Sequence, residues 1–168
     1  MGLMDPSRLS VLGDGAEWLW NIANLHFAGA TQVLDVYHAT EYLASAGRAA
    51  LGADGLKNWL PGARKLLIGD GYVGACEVMA GLPGGAEEIG IGLNYLAGHR
   101  DRLNYAARLC RGQAIGSGLV EGTIKQRVNL RLKRTGARWL SEGVGPFVEM
   151  LAMTESSEWN EYWLALAA

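Results

Sequence analysis

The apolar stretch from Arg8 to Gly13 stops at Gly13-Asp14-Gly15, which predicts a short buried strand ended by a tight turn, with Asp14 at its C-terminal edge. From Glu17 to Leu25 the spacing becomes helical, with Trp18, Ile22 and Leu25 on one side. After the Ala28-Gly29-Ala30 break, Thr31 to Leu34 reads as a second short strand, and Asp35 lies at its end. A strand, a helix and a strand make a βαβ unit, so the two strands should run parallel and both acids should emerge at the same sheet edge.

Beyond that unit the periodicity is helical. Val36 to Ala50 predicts a helix with Tyr37, Tyr42, Leu43 and Ala46 available for packing. Leu56 to Leu60, Val73 to Ala80 and Ala86 to Leu109 follow as helices, broken at Pro61-Gly62, at Gly69-Asp70-Gly71 and at Pro83-Gly84-Gly85. Gly116-Ser117-Gly118 opens another helix, from about Leu119 to Arg134, and Gly143 to Met153 and Trp159 to Ala167 make two more. The fold class is therefore α/β but predominantly helical.

Composition narrows the function only a little. At 168 residues, with 49% hydrophobic and 19% charged content, the chain suits one globular domain with a real core. Cys76 and Cys110 lack CxxC spacing and a His-rich neighbourhood, so a zinc cluster or disulfide framework is not expected. Asp5 and Arg8 spoil any secretory leader, and Asn21, Asn24, His26 and Gln32 spoil the one uncharged stretch as a membrane span, which makes a cytoplasmic protein the default. A nucleotide-binding reading of Gly13-Asp14-Gly15 has neither G-x-G-x-x-G nor a P-loop behind it.

Charge distribution says more than the net charge of −2. Lys125, Arg127, Arg131, Lys133, Arg134 and Arg138 are six of the 15 lysines and arginines, gathered just after Glu121. Arg127, Arg131 and Arg134 fall at i, i+4, i+7, a stripe able to track a phosphate backbone. On an ideal helix Val128 and Leu132 share the face of Glu121, and a carboxylate on an inward face is costly unless paired or metal-bound. Carboxylates that can hold divalent cations, followed by cations that can hold phosphates, point to phosphodiester chemistry. Leu67-Ile68-Gly69-Asp70-Gly71 echoes the Asp14 segment and makes Asp70 a rival acidic position. Trp139, Trp159 and Trp163 read as core and helix-packing residues.

Asp14-Gly-Ala-Glu-Trp-Leu-Trp20, Leu34-Asp35-Val-Tyr-His38-Ala-Thr-Glu41, Ile115-Gly-Ser-Gly-Leu-Val-Glu121-Gly, Arg131-Leu-Lys-Arg-Thr-Gly-Ala-Arg-Trp139 and Trp159-Asn-Glu-Tyr-Trp163, in that order, resemble the C-terminal part of a bacterial insertion-sequence transposase of the DDE type. The resemblance is strongest to the Kra-type group and more distant to the Mutator-like families. It implies an RNase H-like catalytic core. Asp14 then matches the second Asp, Glu121 the Glu, and Asp35 with His38 an auxiliary D-x-x-H motif beside the site. Residues 8–50 would form the strand-helix-strand-helix core, 51–112 a helical insertion, and 113–168 the C-terminal helices that carry the Glu. Implied cofactors are two Mg²⁺ (or Mn²⁺) ions, held in part by Asp14 and Glu121. Implied partners are DNA, as transposon ends and target, and a further copy of the chain or a full-length transposase.

The resemblance has one gap: the first Asp and its strands have no counterpart. The expectation is thus a truncated RNase H-like core of two short parallel strands, inactive alone in DNA cleavage and strand transfer, or a non-catalytic DNA-binding remnant. An open strand edge of this kind also leads us to expect self-association.

Overall fold

The computed structural model describes residues 9–118, 122, 124–154, 156 and 158–166. They are predominantly helical, with two parallel strands. The residues up to Ser117 form one compact unit and those from Gly118 onward another.

The first unit begins with the expected βαβ. Strand β1 (Ser10–Gly13) pairs in parallel with β2 (Thr31–Leu34), in a register that sets Ser10 beside Thr31 and Gly13 beside Leu34. Backbone bonds from Thr31 N to the Leu9 carbonyl and from Asp35 N to the Gly13 carbonyl extend the ladder at both ends. The intervening helix α1 (Glu17–His26) buries Trp20 and Ala23. The side that carries Trp18, Ile22 and Leu25 is the outward one, at 64, 44 and 76% exposure. Both faces of α1 carry apolar residues, so spacing alone could not choose between them. The choice falls to Trp20, whose ring takes the Arg102 guanidinium at 4.5 Å and lies beside His99.

Helix α2 (Val36–Ala80) is long only in outline, since Gly52 and Gly71 leave helical geometry inside it and divide it into three rods. The anticipated break at Pro61 does not occur: Pro61 sits within the middle rod, and the helical geometry is interrupted earlier, at Gly52. The break at Gly71 does occur. Its φ of 58° is one that side chains rarely tolerate, and an added Cβ would stand 2.9 Å from the Leu103 carbonyl oxygen. Helix α3 (Ala86–Gly98), a 3₁₀ turn (Arg100–Arg102) and α4 (Tyr105–Cys110) replace the single helix expected over 86–109. The rods of α2 pack with α3 and α4 around Leu43, Leu67, Met79, Leu96, Leu103 and Tyr105, all essentially inaccessible to solvent, and β2 adds Val33 and Leu34. Each such side chain contributes about 1.5–3 kcal/mol of burial free energy. The helices therefore form the core on which the strands rest.

The second unit, from Gly118 onward, is built from helical segments. Residues Ile124–Asn129 form a π-helical segment, followed by a short α turn (Leu130–Leu132) and two helices, α5 (Ser141–Thr154) and α6 (Glu158–Leu166). No residue described here is fully buried. Trp139 and Trp163, expected in a core, are 43 and 51% exposed. Trp139 tilts onto Phe147, and Trp163 meets Trp159 and Tyr162 edge to face.

Candidate functional site

At the C-terminal ends of parallel strands the chain leaves the sheet, and the last carbonyls and the following side chains gather at one edge. Here that edge carries Asp14 after β1 and Asp35 after β2. The two acids have unlike surroundings.

Asp14 is exposed, and its Oδ1 accepts a hydrogen bond from the Ala16 amide at 3.0 Å, the geometry of a turn preceding a helix. It lines a cavity of about 440 Å³ together with His38, Glu41, Tyr42, Glu88 and Tyr95. His38 Nδ1 lies 3.1 Å from Glu41 Oε2. The cavity thus gathers three carboxylates and one imidazole, although among the described residues no set of three or more such groups lies close enough to hold a metal ion.

Asp35 is 2% exposed, and both of its oxygens are engaged. Oδ1 accepts from the Tyr37 amide at 2.7 Å and caps α2, and Oδ2 accepts from the Ser117 amide at 2.6 Å. The Val36 amide donates to the Ile115 carbonyl at 3.0 Å beside it. Asp35 thereby fastens Ile115-Gly116-Ser117 to the end of β2, which brings the third acidic motif's leading residues to the same edge. The geometry makes Asp35, which the resemblance casts as an auxiliary acid, a helix cap.

Two tyrosines that the sequence did not single out complete the edge. Tyr95 of α3 donates its hydroxyl to the Asp14 carbonyl at 2.7 Å, and Tyr105 of α4 donates to the Leu34 carbonyl at 2.9 Å. Side chains of α3 and α4 thus satisfy the carbonyls at the ends of both strands. Tyr95 stacks on Tyr42, with ring centroids 3.9 Å apart. Burial first, then the charges of Tyr42, Asp14 and Glu41, push its hydroxyl up to about 12, so it stays a donor throughout the physiological range. Tyr105 is raised too, by burial and then by Asp35 and Tyr95. Gly15 makes the Tyr95 contact possible, for at its φ of 97° an added Cβ would fall on the tyrosine hydroxyl. An aromatic residue on the apolar side of a helix looks like any core residue in sequence, and its hydroxyl's target cannot be read there.

His99 closes this cluster. Arg102 Nη1 donates to His99 Nδ1 at 3.0 Å, which requires a neutral ring with its proton on Nε2. Burial, reinforced by Arg102, lowers the His99 pKa from its ordinary value. A lowered folded-state pKa means that the unfolded chain binds the proton more readily, so stability is full above the unfolded value of about 6.5 and falls as pH drops below it. Urea midpoints measured from about pH 7 to 5 should fall in the parent and fall less steeply in His99→Gln.

Glu121 lies outside the described residues. Lys125, Arg127, Arg131, Lys133, Arg134 and Arg138 are all exposed. The expected regular helix over 119–134 is not formed as such: from Ile124 to Asn129 it is π-helical, and Lys133 and Arg134 lie beyond the last helical residue. Just beyond, Gly136 takes a φ of 83°, which glycine adopts readily and a helix does not contain. Even so, Arg127, Arg131 and Arg134 line one open concavity with Gln126 and Leu130. Asp70 stands elsewhere, at the Gly71 kink beside Arg100 and Asn104, and not at the strand edge.

Comparison of the chain with protein-family models, with curated proteins and with solved structures finds no match.

Proposed function

We propose that the chain is part of an RNase H-like catalytic core of a DDE-type transposase, with Asp14 and Glu121 as metal-holding carboxylates and Lys125, Arg127, Arg131, Lys133, Arg134 and Arg138 as contacts to DNA phosphates. The observation that carries this reading is the meeting of three motif segments at one sheet edge: Gly13-Asp14, Leu34-Asp35 and Gly116-Ser117. Asp14, exposed and with an oxygen donor to spare, suits a hard cation that prefers carboxylate and water ligands. Asp35, with both oxygens committed to amides, serves as the clasp that holds the third segment in place. His38 is held by Glu41 in the same cavity as Asp14 and is suited to orient a bound water or strand end there.

In such a site Mg²⁺ (or Mn²⁺) supplies charge to activate an attacking oxygen and to stabilise a leaving one, with two ions about 3.5–4 Å apart. This chain's own residues would supply ligands and phosphate contacts. A third carboxylate of the kind the resemblance calls for has no counterpart in the sequence, so the chain alone is expected not to cut or join DNA.

The test uses Mn²⁺ as a paramagnetic probe of the isolated chain. Selective broadening of the Gly15 and Ala16 amide signals, lost in Asp14→Ala and weakened in Glu121→Ala, is expected; uniform broadening, or broadening indifferent to both substitutions, overturns the assignment. Mg²⁺-dependent nicking of plasmid DNA that disappears in Asp14→Ala would instead overturn the expectation of inactivity.

The concavity lined by Arg127, Arg131 and Arg134 favours a second reading, a non-catalytic DNA-binding role. Binding should weaken with salt, with a log-log slope of about −0.9 for each phosphate neutralised, and Arg131→Gln should flatten that slope by about one contact while weakening all sequences alike. Salt-dependent binding without any metal effect at Asp14 would select this reading over the first.

A further inference from the structure

At the opposite end of the strands from Asp14, the first residues of β1 and β2, Ser10 and Thr31, form one wall of a cavity of about 150 Å³ whose other walls include Arg102, Arg108 and Arg111. Arg108 is 5% exposed, yet among the described residues its guanidinium meets only neutral acceptors: Nε donates to the Ala114 carbonyl at 2.9 Å and Nη2 to Ser10 Oγ at 3.1 Å. Arg102 likewise donates to Gln32 Oε1, to the Gly98 carbonyl and to His99. The ion pairs found among the described residues, His38 with Glu41 and Lys57 with Asp54, involve none of the three arginines. Asp101 lines the rim but is exposed and pairs with none of them.

A buried cation without a counter-charge is expensive, and native proteins resolve the expense by pairing it. Burial, and then the nearby charge of Arg111, lower the Arg108 pKa, so the two guanidiniums stand close enough to repel. Guanidinium forks, hydroxyls and a polar cavity with the share of about five water molecules fit one tetrahedral oxyanion. We propose that this cavity binds a phosphate group, held by Arg108 and Arg111 and by the Ser10 and Thr31 hydroxyls. The site is independent of Asp14 and stands or falls apart from the proposed function.

Inorganic phosphate and a short 5′-phosphorylated DNA duplex are the two probes, titrated separately into the full chain and read by amide chemical shifts at Ser10, Thr31 and Gln113. Arg111 is exposed and so can be replaced without opening the core. Arg111→Gln should weaken binding about tenfold and Arg111→Lys, which keeps the charge but loses the fork, by less, while Arg48→Gln, on the exposed face of α2, should leave it unchanged. Shifts with inorganic phosphate identify a free anion as the occupant, and shifts with the duplex alone identify a strand phosphate; either outcome with the stated order of variants supports the site. Absence of shifts with both probes at millimolar concentration, or equal weakening by Arg111→Gln and Arg48→Gln, overturns it.

Discussion

Tyr105→Ala should remove about 3–5 kcal/mol of unfolding free energy, read as a large fall in urea midpoint. The ring is wholly buried among the core residues, on a helix that packs against α2. The substitution also strands the Leu34 carbonyl, which receives the Tyr105 hydroxyl at 2.9 Å. Tyr105→Phe isolates this second contribution: it keeps the packing and should cost about 1–3 kcal/mol for the unpaired carbonyl. A phenylalanine variant as stable as the parent would show that the carbonyl finds water, and would remove the tyrosine from the account of how the sheet edge is held.

What the sequence disclosed follows from which forces act locally. The β1-α1-β2 unit was legible because Gly-Asp-Gly and Ala-Gly-Ala are turn chemistry at the ends of short apolar runs, and a parallel pair was the sole outcome of the connection length. The edge positions of Asp14 and Asp35 came with it. The inward face of α1 was not legible, because Trp18 and Trp20 are equally apolar and the contacts that bury Trp20, with the core and with Arg102, come from residues distant in sequence. Pro61 misled for a related reason: proline is a local breaker, but the middle rod of α2 is held by Leu56, Ala63 and Leu67 in the core. Tertiary burial overrode the local preference. The site divides in the same way. Asp14's exposure agrees with its turn, whereas the long-range partners of Asp35, Tyr95 and Tyr105 lie 71 to 82 residues away in sequence and are set only when the helices pack.

The helices α3 and α4 accordingly have more than a packing role. Among the described residues the sheet has two strands, and no further strand flanks the carbonyls and acids at its C-terminal edge. Tyr95 fixes the Asp14 peptide, Tyr105 the Leu34 peptide, and the Asp35 carboxylate the Ser117 amide. Three hydrogen bonds to residues 95–117 thus take over a task that strand pairing performs elsewhere, and they make the geometry of the Asp14 cavity dependent on the packing of α3 and α4.

The two aspartates should respond oppositely to removal, and the contrast separates a structural acid from one free for chemistry. Asp35→Ala abolishes the cap on α2, at about 0.5–2 kcal/mol, and leaves the Ser117 amide without its acceptor, at about 1–3 kcal/mol more. A loss of about 2–4 kcal/mol is expected, with faster hydrogen exchange at Tyr37 and Ser117. Asp35→Asn should fall between, since an amide oxygen can still cap while the amide nitrogen confronts the Ser117 donor. Asp14→Ala forfeits a single exposed bond to the Ala16 amide and should cost no more than about 1 kcal/mol, while removing the response of Gly15 and Ala16 to Mn²⁺. If Asp14→Ala proved as destabilising as Asp35→Ala, the exposed carboxylate would have a structural duty that its geometry does not reveal, and its assignment as a metal ligand would lose its basis.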